Sequence, residues 1–156
     1  MRRLVVPLLV VLLLTGCVKR VRPAAAPPVP PPASGATVTA LARSFIGTPY
    51  RNGGADPGGF DCSGFVQYVF AQIGVGLPRS VLEQASAGER VDRRDLREGD
   101  VIFFAIDGRT ISHVGIVSGP GTFVHAPSSR GLVREESLSV AYWQTRFAAA
   151  RRILRR

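Results

Sequence analysis

The chain has 156 residues, 46% of them hydrophobic, and a formal net charge of +9 from 20 Lys and Arg against 11 Asp and Glu. That length supports one compact domain with its own core and is too short for two. With 2 cysteines it is no disulfide-stapled scaffold.

Arg2 and Arg3 precede an apolar run from Val5 to Leu14, the basic and hydrophobic regions of an export signal. The run is far short of the roughly 20 residues that cross a bilayer as a helix. Leu14-Thr15-Gly16-Cys17 resembles a bacterial lipobox, which predicts that residues 1–16 are removed and that Cys17 carries lipid. An ordinary secretory peptide is the alternative. Residues 17–37, with Pro27-Pro28-Val29-Pro30-Pro31-Pro32, read as an extended tether. At about 3 Å per residue it reaches on the order of 60 Å from a membrane. The absence of Asp after Cys17 points to the outer membrane, facing the periplasm, as the expected site of a lipid-anchored envelope protein. Export makes nucleic acid an improbable partner for the positive charge. An anionic wall polymer or plain solvation suits the Arg151, Arg152, Arg155 and Arg156 cluster better.

Residues 38–156 form the expected domain. Thr37 or Thr39 can cap a first helix through Ile46, stopped by Gly47. Residues 48–60 are glycine-rich and aperiodic. Asp61 is a candidate N-cap for a helix with Phe65, Val66, Val69, Phe70 and Ile73 on one face, ending at Gly74. Ser80-Val81-Leu82-Glu83 fits a capping box for a short third helix ending near Gly88. The period then changes: residues 101–105, 112–118, 122–126 and 131–134 read as strands, with 146–154 as a last strand or helix. Helices followed by strands predict an α+β domain with an antiparallel sheet.

Cys62 opens the second helix, and the chain has 2 histidines, His113 and His125, each in a strand-like segment. The N–H groups at a helix start favour a thiolate, one imidazole can take the thiol proton, and a further polar group can orient it. With Cys17 lipidated, Cys62 has no disulfide partner inside the chain. Zinc binding by Cys62, His113, His125 and Asp61 is disfavoured because the chain has no close ligand pair of the Cys-x-x-Cys or His-x-x-x-His kind. The glycines at 53, 54, 58 and 59 lack the Lys-Ser/Thr of a phosphate loop.

Gly47-Thr48-Pro49-Tyr50, Phe60-Asp61-Cys62-Ser63-Gly64-Phe65, Leu77-Pro78-Arg79, Gly99-Asp100-Val101-Ile102-Phe103-Phe104, Ser112-His113-Val114-Gly115-Ile116-Val117 and Val124-His125-Ala126 follow in order with short gaps. Together they resemble the NlpC/p60 family of cell-wall cysteine peptidases in its short lipoprotein form. The resemblance implies a papain-like fold and action on peptidoglycan stem peptides through a thioester acyl-enzyme; a monomer without cofactor or metal is expected. It implies Cys62 as nucleophile, His113 as base and His125 as its orienter. Tyr50 would lie near the oxyanion, and Asp61 and Ser63 would hold a free stem-peptide amine. The bond is the γ-D-glutamyl-diaminopimelate linkage or the D,D-crosslink. A catalytically silent wall-binding lipoprotein is the alternative from another class.

Overall fold

The computed structural model describes residues 33–154, so the signal segment, Cys17, most of the proline-rich tether, Arg155 and Arg156 lie outside the described residues. Helix α1 spans Gly35–Ser44 and is capped by Ser34, whose hydroxyl accepts the Thr37 N–H at 3.1 Å. Neither Thr37 nor Thr39 is the cap. Thr39 is buried and donates to the Val117 carbonyl at 3.3 Å, tying the helix to the sheet.

The glycine-rich loop contains a two-residue hairpin, β1 (Ala55–Asp56) and β2 (Gly59–Phe60). Helix α2 spans Cys62–Ala71 and buries Phe65, Val66, Val69 and Phe70, as its spacing predicts. Helix α3 (Val81–Gln84) is shorter than predicted, although Ser80 and Glu83 form the expected box, with Glu83 N–H donating to the Ser80 hydroxyl at 3.3 Å.

Strands β3 (Glu89–Arg90), β4 (Val101–Phe104), β5 (His113–Gly119), β6 (Thr122–His125) and β7 (Arg134–Ser137) follow. Helix α4 (Ala141–Arg146) and strand β8 (Phe147–Arg152) complete the fold, so the ambiguous last segment is a strand. The sheet is antiparallel throughout, in the order β3-β8-β4-β5-β6-β7. The architecture is the expected α+β, papain-like one. Strand β7 begins three residues later than the sequence suggests, because residues 131–133 pair with the loop before the hairpin. Gly47 N–H donates to the Val133 carbonyl at 2.9 Å, and Val133 N–H to the Thr48 carbonyl at 2.8 Å.

Strand alternation divides the core. Val101, Phe103, Val114, Ile116 and Val124 pack under α1 and α2. On the other face Ile102, Phe104, Val117 and Phe123 pack against Trp143 of α4. Burying both faces explains why β4 and β5 are apolar without a polar side. The carboxyl-terminal arginines are partly structural: Arg152 grips the buried Asp100 with two contacts of 2.8 Å, and Arg151 donates to the Ala85 carbonyl at 2.5 Å. For these two arginines, the expectation of a free basic patch is overturned.

Candidate active site

Helix α2 begins where two backbones nearly touch. A Cβ on Gly64 would lie 2.0 Å from the Gly54 carbonyl oxygen, and Asp61 N–H donates to that same oxygen at 3.0 Å. Glycine is therefore required at 64, and the glycine loop holds the first turn in place. Asp61 caps the helix, accepting the Gly64 N–H at 2.7 Å. Buried Gln84 donates to the carbonyls of Ser63 at 3.0 Å and Pro78 at 2.8 Å, clamping the same turn from α3.

Cys62 thus sits at the helix N-terminus with its sulfur approached by the backbone N–H groups of Ser63, Val114 and its own residue. The Val114 contact places the thiol beside β5, one residue from His113. Burial nevertheless pushes the Cys62 thiol above its ordinary range, the Asp61 carboxylate adds to the rise, and the N–H groups only partly offset both. The sequence expectation of a thiol poised toward thiolate fails here because desolvation outweighs the helix end.

His113 and His125 do not point into the helical layer. Both lie on the aromatic face of the sheet, where His113 stacks on Trp143 with ring centroids 5.7 Å apart and His125 packs against Phe123 at 4.7 Å. The candidate nucleophile and base therefore come from opposite faces of the sheet. Register explains how the two rings meet. Gly115 stands opposite His125, so His113 and His125 are diagonal neighbours, and the missing side chain between them leaves room. His113 Nε2 and His125 Nδ1 are 2.7 Å apart. Burial pushes His113 down to about 4, and burial together with the neighbouring His113 and Arg134 pushes His125 lower still. Both rings are neutral near pH 7.

Tyr50 lies near enough to feel the charges of Cys62, Asp61 and Arg79, and burial first, then Cys62 and Asp61, raises its phenol. Asp61 and Ser63 are together but occupied. Arg79 donates to Asp61 Oδ1 at 3.0 Å and to the Ser63 hydroxyl at 2.7 Å, and it also forms an ion pair with Asp61 Oδ2. Burial alone would raise the Asp61 carboxyl, but Arg79, the Gly64 N–H and Ser63 hold it below its ordinary value. Sequence reasoning about the residues missed the parts played by Arg79, Gln84 and Gly115, since none stands out by spacing. Trp143, the one tryptophan, was the available signal for the lid over the histidines. Among the described residues no three metal-ligating side chains gather as a metal site.

A half-buried thiol at a helix start, a neutral imidazole with its Nδ1 uncommitted, and a second imidazole on its Nε2 can carry out nucleophilic acyl transfer by general-base assistance. Residues 47–152 match the family model described as NlpC/P60 family. The murein DD-endopeptidase MepS/murein LD-carboxypeptidase of Escherichia coli K12 is 47% identical over 111 residues, covering 70% of this chain and 58% of that protein. The gamma-DL-glutamyl hydrolase of Bacillus subtilis 168 is 45% identical over 114 residues, covering 71% of this chain and 27% of that protein. This chain thus spans well under two thirds of either relative. An NlpC/P60 family protein from Bacillus cereus ATCC 10987 superposes with a TM-score of 0.76 at 33% identity, covering 81% of this chain and 42% of that one.

Proposed function

This chain belongs to the NlpC/P60 family, and from that premise we propose that it is a lipid-anchored cysteine endopeptidase that cuts peptide stems of peptidoglycan. The observation that carries the reading is the contact between His113 Nε2 and His125 Nδ1, beside a thiol held at the start of α2. With Nε2 engaged, His113 Nδ1 is the nitrogen left to take the Cys62 proton. The sulfur then attacks the scissile carbonyl, and the oxyanion faces the Cys62 N–H and the Tyr50 phenol. The proton on His113 passes to the leaving amine, leaving a thioester. Water, deprotonated by the same nitrogen, hydrolyses the thioester and restores the thiol.

Two bonds compete as substrate: one relative is named a murein DD-endopeptidase, and another of about equal similarity a gamma-DL-glutamyl hydrolase. Arg79 favours the D,D-crosslink. Its guanidinium already occupies Asp61 and Ser63, so a free stem-peptide amine finds no open carboxylate there. Lipid on Cys17, the tether and an outer-membrane address facing the periplasm supply the reach to the wall, on the logic of the leader sequence. The reading includes a monomer that needs no cofactor.

Digestion of purified sacculi by the wild-type chain and by Cys62→Ala, with fragments identified by mass spectrometry, tests the proposal. Crosslinked dimers falling to monomers, with the variant inert, is the expected result. Release of L-Ala-γ-D-Glu assigns the other bond. Binding of both proteins without cleavage identifies a silent wall-binding lipoprotein instead. Membrane partition of Cys17→Ser tests the anchor separately: the variant should become soluble and keep its activity.

A further inference from the structure

The tautomers of the histidine pair demand a partner that the Cys-His-His set does not contain. If His113 Nδ1 is to accept the thiol proton, His113 Nε2 must carry a hydrogen and donate it to His125 Nδ1. His125, neutral, then carries its own hydrogen on Nε2. That atom is buried and has no hydrogen-bond partner. Glu136 Oε2 on β7 faces it from 3.9 Å away.

Glu136 is held for this position. Register sets Arg134 opposite His125 and Glu136 opposite Phe123, so Glu136 is the diagonal neighbour of His125, as His125 is of His113. The indole N–H of Trp143 donates to the same Oε2, and Arg134 Nε lies 2.9 Å from Oε1 as an ion pair. Glu136 is thus fixed from α4 and from its own strand, with Oε2 turned toward the histidines. Catalytic hydrogen bonds commonly tighten in the Michaelis or transition-state complex.

We propose that Glu136 is a positioning residue, the acceptor for His125 Nε2–H, which sets the tautomer of His125 and through it leaves His113 Nδ1 free for the Cys62 proton. This rests on Cys62 and His113 being nucleophile and base. The relay runs diagonally across three strands, from His113 on β5 through His125 on β6 to Glu136 on β7. When His113 becomes an imidazolium, the carboxylate at the far end stabilises the charge through His125 without itself taking a proton, as the carboxylate of a serine-hydrolase triad does.

The decisive measurement is the tautomeric state of the histidines, read from two-bond proton–nitrogen couplings in the untagged, ¹⁵N-labelled full chain. It needs no substrate, so it stands apart from whether the protein cuts peptidoglycan, and it needs no variant to fold. Both rings should be protonated on Nε2 alone at neutral pH. Protonation of His125 on Nδ1 overturns the proposal. In Glu136→Gln the two tautomers of His125 should mix, and kcat on crosslinked wall peptides should fall about 10- to 100-fold with KM unmoved, the scale of loss seen when the outer partner of a metal-ligating histidine is removed. A Glu136→Gln protein that melts earlier but keeps the wild-type tautomers and kcat would assign Glu136 to packing alone and sink the idea.

Discussion

His113 Nε2 and His125 Nδ1 are 2.7 Å apart although their strands place them diagonally, not face to face. A hydrogen bond this short fixes the plane of the His113 ring and commits one of its two nitrogens. His125→Ala should therefore lower kcat about 10²-fold or more while leaving Cys62 open to alkylation, since the nucleophile survives and only the base loses its orientation. His125→Gln should retain more activity, because an amide can still meet Nε2.

Gly115 makes that contact possible. A Cβ there would lie 2.8 Å from Phe123 Cδ2 and 3.2 Å from His125 Cβ. Gly115→Ala should cost about 1–3 kcal/mol by overpacking, and activity should fall further than the loss of folded protein explains. Thermal melts and kcat on one preparation check this, and unchanged turnover would refute the spacer role.

The thiol should titrate late. Burial and Asp61 raise Cys62, so the alkylation rate plotted against pH should inflect above the value of about 8.5 for a free thiol. Because His113 is neutral near pH 7, His113→Ala removes no cation there and should leave that inflection in place while abolishing turnover. Asp61→Asn deletes a negative neighbour and should move the inflection down. An inflection in the wild type near pH 5 would instead reveal a preformed thiolate–imidazolium pair.

Acid should destabilise the fold before its carboxylates titrate. The unfolded chain protonates His113 from about pH 6.5, whereas the folded protein resists until about 4. The stability that His113 contributes as a neutral buried ring is therefore complete above about pH 6.5 and is lost as the pH falls toward 4. His125 acts with the same sign, and Asp61 and Glu135, held low by Arg79 and by Ser118 and Arg43, extend the loss to lower pH. Urea midpoints should be lower at about pH 5 than at about pH 7.5, and a His113→Phe variant should show a shallower fall.

Arg79 occupies both Asp61 and Ser63, the pair proposed to meet an incoming amine. Arg79→Ala should lower KM for free-amine stem peptides relative to amine-blocked ones, because the carboxylate and the Ser63 hydroxyl become available. Equal effects on both substrates would make Arg79 a support for the helix cap and nothing more.

Much of this protein was legible from residue order. The Asp61 cap, the apolar face of α2 and the alternation along β5 follow from local rules that need no distant contact, and Cys62, His113 and His125 stand out by chemistry. The family motifs carried Tyr50, Asp61 and Ser63 to the same region. At the start of α1, Ser34, Thr37 and Thr39 all have capping side chains, and only the packing of Thr39 on β5 decides among them. Other features belong to strand register and burial, which sum contributions from residues far apart in the chain. Only tertiary structure decided that the histidines lie on the sheet face opposite the nucleophile's helix, that Gly115 gives them room, that Arg79 fills the place beside Cys62, and that burial outweighs the helix end at the thiol. Glu136 shows why: it is one charged residue among several on β7, and only the pairing of β6 with β7 brings it beside His125.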